Sequence, residues 1–245
     1  DELKNKFKIA NNNSYANYSF MFGGTNDNLD EIKKIDSKKV AGLKLFLGSS
    51  TGNMLVDDET VLKEIFLNTD LLISVHSEDE KIINDNLREY KSKYGSNIPF
   101  DCHPKIRSEE ACLRSTQRIL KLAKETGARL HVFHLSTKSE SLLFENNIPL
   151  KEKKITSEVC VHHLWFSDED YKEKQAYIKW NPAIKTKEDR DRLFEMDLVD
   201  LARQHGKMIW FMQEGPNWIY QDLPIYQQFW HFNLLQKVDG ILTEN

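Results

Sequence analysis

One lysine, Lys44, stands inside the apolar run "GLKLFLGSSTGNML" (residues 42–55), and two histidines, His76 and His134, close the later runs "LLISVHS" (71–77) and "HVFHLST" (131–137). Neutral imidazoles are the commonest metal ligands, and two converging from neighbouring strands can hold a zinc-type ion. An ammonium is no ligand. Burial, however, lowers a lysine pKa by disfavouring the charged form, and the neutral amine takes up carbon dioxide to give a carbamate, an oxygen-donor anion able to bridge two cations. That chemistry would account for a lysine placed where its charge is a liability. The plainer alternatives are a hydrogen-bonded core histidine and a lysine whose amine reaches the rim of the sheet.

Other polar residues are read against this trio. His162 and His163 stand side by side in "CVHHLWF"; on a regular strand they would face opposite ways, so at most one would face a site. His131 lies three positions from His134, faces the other side of its strand and reads as structural, as do His103 and Arg107 in "CHPKIRSEE". Asn181, before Pro182, belongs to a turn-forming pair and offers a donor and an acceptor to a planar amide. Cys102, Cys112 and Cys160 lack C-x-x-C spacing and read as reduced, structural thiols. Glu214 reads as a solvated loop acid.

The elements that must position these groups are short apolar runs alternating with helical patterns. Strands are expected within 18–24, 41–48, 71–77, 128–136, 155–166, 207–213 and 238–244. The stretch 108–127 opens on Ser108 as a cap and stops at Gly127, and "DETVLKEIFLNTD" gathers Val61, Leu62, Ile65 and Phe66 on one face. About seven strands without a G-x-G-x-x-G turn or a P-loop favour an α/β fold of the TIM-type (β/α) barrel, incomplete or chimeric, over a doubly wound sheet. In such a barrel the chemistry sits at the C-terminal ends of the strands.

Composition narrows the partners. The 34 Lys and Arg are balanced by 38 Asp and Glu, the net charge of −4 is spread along the chain, and no basic face for nucleic acid emerges. Apolar runs such as "LLISV" are far shorter than a membrane span needs. A cytoplasmic location is expected. The chain starts at Asp1 on a helical pattern with Leu3, Phe7 and Ile9, and an upstream segment is expected.

The blocks "GLKLFLGSSTGNMLVDD", "VHSEDEKII", "CHPKIRSEEAC", "HVFHLST", "EVCVHHLWFSDEDY" and "KWNPAIKTKEDR", in this order, resemble the central part of a dihydroorotase, in the amidohydrolase superfamily of metal-dependent barrels. The resemblance covers residues 1–194. It implies that Lys44 is carboxylated and bridges two metal ions, usually zinc, that His76 and His134 complete one metal's shell, and that Asn181 contacts the ring of a cyclic amide substrate. It further implies interconversion of dihydroorotate and carbamoyl aspartate in pyrimidine synthesis, by attack of a metal-activated hydroxide.

Two family motifs are absent from these 245 residues: the first-strand His-x-His pair with its Arg, and the late Asp that serves as general base. One zinc or none is therefore expected here, with weak or absent hydrolysis. A catalytically silent binding or assembly protein is the alternative, and a homo-oligomer is allowed. Residues 195–245 form a divergent segment that faintly resembles the closing strand-helix-strand of a glycerophosphodiester phosphodiesterase, the third reading.

Overall fold

The computed structural model describes residues 2–48, 53–145 and 147–195, together with two short strands, Trp210–Gln213 and Gly240–Thr243. Residues 49–52, Glu214 and most of the segment after residue 195 fall outside the described residues, and with them the phosphodiesterase likeness.

Each of the seven expected runs contains a strand. They are β1 (Met21–Gly23), β2 (Gly42–Phe46), β3 (Ile73–His76), β4 (Leu130–Val132), β5 (Ile155–Ser157), β6 (Trp210–Gln213) and β7 (Gly240–Thr243). The first five form one parallel sheet in the order β1-β2-β3-β4-β5, while β6 and β7 pair in parallel with each other. A doubly wound sheet reverses its strand order at a switch point; an order that follows the chain without reversal is that of an arc of a TIM-type barrel. Among the described residues the arc is open.

Alternation along β2 sets the layers. Leu43 and Leu45 are fully buried and belong to one face, whereas Lys44 and Phe46 are half-buried on the other. Ile73, Val75, Leu130 and Val132 join Leu43 and Leu45 in one core with Leu62, Ile65 and Phe66 of the helix Glu59–Leu67 and Ile119, Leu120 and Ala123 of the helix Glu109–Thr126. Burying each large aliphatic side chain contributes about 1.5–3 kcal/mol.

Three of the longer helices start on capping side chains. Asp58 and Asp79 each accept two backbone N–H bonds, and Ser108 accepts one from Ala111. Gly127, at φ 71°, ends the helix that Ser108 begins.

The run 155–166 departs from expectation. Only Ile155–Ser157 is strand, and Val161–Trp165 is a short helix. The partner explains why: β4 stops at Val132, and His134 adopts φ 42°, which carries its backbone out of the ladder. The last sheet contacts here are the Glu158 N–H donating to Val132 O (3.1 Å) and the Leu135 N–H donating to Glu158 O (2.8 Å). Beyond them the backbone turns on itself, the His163 N–H donating to Cys160 O at 2.9 Å. His162 and His163 consequently share one helical turn instead of opposite strand faces.

Candidate metal centre

His76 is the last residue of β3, and its neighbours fix its ring from two sides. Its Nε2 donates to Glu78 Oε2 at 2.6 Å, and Glu78 in turn accepts from the Arg107 guanidinium. Burial pushes the Glu78 carboxyl up, but the His76 hydrogen bond and the Arg107 charge outweigh it, so the net direction is down and the group is a carboxylate. A carboxylate on one ring nitrogen fixes the tautomer and leaves the other, Nδ1, with its lone pair.

That Nδ1 faces His134 Nε2 at 3.1 Å, with the rings edge to face at 4.8 Å between centroids. His134 holds a left-handed backbone, a conformation costing on the order of 1–3 kcal/mol for a residue with a Cβ, which turns its imidazole toward His76. Its Nδ1 is buried without a hydrogen-bond partner. Desolvation, reinforced by the His76 and Lys44 charges, holds His134 down to about 3, so its ring is neutral.

Lys44 lies one strand over, its residue in register with Ser74 of β3. Its Nζ sits 4.0 Å from the Phe133 ring centroid and 4.9 Å from that of Phe46. Burial lowers it to about 8, against a smaller upward pull from Glu158. About a tenth of the amine is then neutral at pH 7, compared with well under a thousandth for an ordinary lysine.

Asn181 is exposed on a turn whose peptide bond to Pro182 is cis. The turn is anchored by His103 Nε2, which donates to Trp180 O at 2.7 Å, and by His163 Nε2, which donates to Pro182 O at 3.1 Å. Lys185, four residues on, reaches Ser136 Oγ at 3.4 Å, two residues beyond His134. The structure thus brings His76 and His134 into contact, sets Lys44 beside them across Phe133, and ties the Asn181 turn to the end of β4.

His131, read as structural and facing away, instead shares the Lys44 face of the sheet through its register with Ser74, with Nδ1 2.8 Å from Thr156 Oγ1 and Nε2 3.3 Å from Glu158 Oε2. His103 and Arg107 have more specific work than a loop position suggested: one anchors the Asn181 turn and the other neutralises Glu78. Glu78 itself was missed, although an acid two residues past a strand-end histidine was the signal available in "VHSED".

The two imidazoles suit a cation. Tetrahedral ligation at Zn–N distances of about 2.0–2.1 Å separates two nitrogens by about 3.3 Å, and His76 Nδ1 and His134 Nε2 already stand 3.1 Å apart. A parallel strand arc that brings two imidazoles and a desolvated amine to its C-terminal rim has the kind of donor set that metal-dependent α/β-barrel hydrolases use.

Comparison with known proteins narrows that class. No family model matches the chain. It is similar to the dihydroorotase of Methanosarcina acetivorans, 28% identical over 196 residues covering 75% of this chain and 40% of that protein. It is also 27% identical to the allantoinase of Bacillus velezensis over 213 residues, 82% of this chain and 45% of that one. Over 130 residues, 51% of this chain and 28% of the relative, it is 34% identical to the dihydroorotase of Geobacillus sp. (strain WCH70). Among solved structures, the L-hydantoinase (dihydropyrimidinase) from Arthrobacter aurescens superposes with a TM-score of 0.71 at 25% identity, over 79% of this chain and 43% of that one. The chain spans less than half the length of these relatives. Its similarity is to amidohydrolases of the dihydroorotase, allantoinase and hydantoinase kinds.

Proposed function

We propose that this chain carries one flank of the metal centre of a cyclic amide hydrolase, of the type that interconverts dihydroorotate and carbamoyl aspartate. Lys44, His76 and His134 are the ligands and Asn181 meets the substrate ring. The observation that carries the reading is the His76–His134 pair, two imidazoles at the C-terminal ends of β3 and β4 with nitrogens 3.1 Å apart and one of them oriented by a buried carboxylate.

Zinc bound there supplies Lewis acidity toward an amide carbonyl and an activated water near neutral pH. The residues themselves do the rest. Glu78 holds His76 by its Nε2–H, and Arg107 keeps Glu78 charged. Phe46 and Phe133 keep water from the Lys44 amine, favouring the neutral form whose nitrogen attacks carbon dioxide and releases a proton to give the carbamate. Asn181 offers its carboxamide to a planar ring amide. A catalytically silent relative serving in binding or assembly is the second reading.

Measurable dihydroorotate turnover by the zinc-loaded chain would exclude the silent reading, whereas zinc binding without turnover is what either reading expects of a single flank. The ligand assignment is tested by metal content after dialysis, with and without bicarbonate. Bicarbonate should raise zinc retention by the wild-type chain and not by Lys44→Ala; equal stoichiometry and equal bicarbonate response in the two would remove Lys44 from the site.

A further inference from the structure

A second group of ligand atoms lies outside the strand-rim site. Cys160, His162 and His163 each present one donor atom, and the three atoms lie within 4.8 Å of one another. The departure of the chain from the β5 ladder creates the group, because Cys160 precedes the helical turn that carries both histidines. Their imidazole centroids are 4.4 Å apart, and His162 stacks on Trp180 at 4.4 Å and 21°.

His163 is 3% exposed, and its Nδ1 is buried with no hydrogen-bond partner. Its other nitrogen, Nε2, engages Pro182 O. A ring whose Nε2–H is spent on a carbonyl presents the Nδ1 lone pair, the arrangement that carbonyl-oriented metal histidines use. A buried acceptor left without a donor is costly, and a cation supplies what it lacks.

We propose that Cys160, His162 and His163 form a second, thiolate-containing site for a thiophilic divalent cation of the zinc type. One sulfur and two imidazoles are a donor set that borderline-soft cations prefer to hard ones such as magnesium or calcium. Tetrahedral bonds of about 2.3 Å to sulfur and about 2.0 Å to nitrogen place donors about 3.3–3.6 Å apart, so side-chain rotation of about 1 Å closes the present spacing around an ion. The Cys160 thiol gives its proton to solvent on binding. Closure draws His162 from the Trp180 face, so occupancy is reported at the turn that carries Asn181. The site rests on this side-chain cluster and does not depend on cyclic amide hydrolysis.

Cobalt(II) is the probe, added to the reduced full chain carrying His76→Ala and His134→Ala to silence the strand rim. One equivalent should produce a near-ultraviolet thiolate-to-cobalt charge-transfer band that zinc abolishes by competition. Cys160→Ser should remove the band, and His162→Phe, which keeps a ring on Trp180, should weaken binding at least about tenfold. Tryptophan emission should change in step with the band, with a smaller change in Trp180→Phe. No band in the parent chain, or a band that survives Cys160→Ser and disappears instead with Cys112→Ser, overturns the proposal. Circular dichroism of each variant confirms that lost binding is not lost folding.

Discussion

Two histidine pairs lie on this chain and are built in opposite ways. His76 and His134 are 58 residues apart, arrive on successive strands and meet with nitrogens 3.1 Å apart, one ring held by a buried carboxylate that is itself paired with Arg107. His162 and His163 are sequence neighbours on a five-residue helix, with donor atoms as far as 4.8 Å from the rest of their group and a backbone carbonyl as orienting partner. The first pair's separation is set before any ion arrives, because His76 is the last residue of β3 and His134 sits in the left-handed turn directly after β4, both tied to the packed sheet. The second pair depends on side-chain rotation. A carboxylate behind an imidazole also raises its basicity as a ligand more than a neutral carbonyl does. The strand-rim pair should therefore bind more tightly and respond more sharply to its supporting groups.

The largest effect expected from breaking that contrast is at Glu78. Glu78→Gln keeps the shape and one acceptor for His76 but removes the charge, leaving a guanidinium 12% exposed without its partner. Metal affinity at the strand rim should fall about 10–100-fold. Stability should drop by several kcal/mol, as when one member of a buried ion pair is lost. The cobalt–thiolate band at Cys160 should be unchanged, and a parallel loss at both sites would mean that the two pairs are not independent. Metal-binding isotherms and denaturant melts measure both effects.

The next contrast concerns histidines that anchor rather than ligate. His103 donates to Trp180 O and packs edge to face on Tyr171, with Arg107, Lys179 and Lys185 as the charges around it. Desolvation pushes it down to about 4 from an ordinary 6.5, with those cations adding to the effect and the Trp180 hydrogen bond opposing it. Unfolded, this imidazole takes up a proton near 6.5; folded, it resists until about 4. Proton uptake thus draws the equilibrium toward the unfolded chain, and stability should be full above about pH 6.5 and decline to about pH 4, by about 3 kcal/mol from this residue. His103→Gln, which keeps a donor for Trp180 O, should make the decline measured by urea denaturation across that range shallower, the buried His134, His162 and His163 keeping the rest of it. An equally steep decline in the variant would assign the acid sensitivity elsewhere.

How far these arrangements were legible in the sequence follows the same division. Lys44, His76 and His134 stood out because strand ends in a parallel α/β arc are legible from apolar runs, and each expected run holds a strand. The core faces were legible too, as Leu43 and Leu45 alternate with Lys44 and Phe46. His162 and His163 were misplaced because "ITSEVCVHHLWF" is rich in strand-forming residues throughout, and only the end of its partner β4 stops the ladder at Glu158. Loss of a neighbour is a tertiary event that no local propensity records. Glu78, His103 and Arg107 were underread for a related reason: their partners His76, Trp180 and one another are joined by the fold rather than by spacing.

The smallest effect tests whether the rigidity of the strand rim comes from the sheet or from the helix that follows it. Asp79, next to Glu78, caps the helix Glu80–Tyr94 by accepting from the Lys81 N–H at 3.0 Å and the Ile82 N–H at 3.1 Å, and its own N–H donates to Ala111 O at 3.0 Å. Asp79→Ala removes the cap and keeps the backbone bond. The expected cost is about 1 kcal/mol of global stability in a denaturant melt. Metal affinity at the strand rim should change by less than about twofold, because His76 is held by β3 and by the Glu78–Arg107 pair rather than by the helix start. A loss approaching that of Glu78→Gln would show that the helix start, through the Glu78 backbone, is what holds the carboxylate in place, and the contrast between the two histidine pairs would then rest on capping instead of strand pairing.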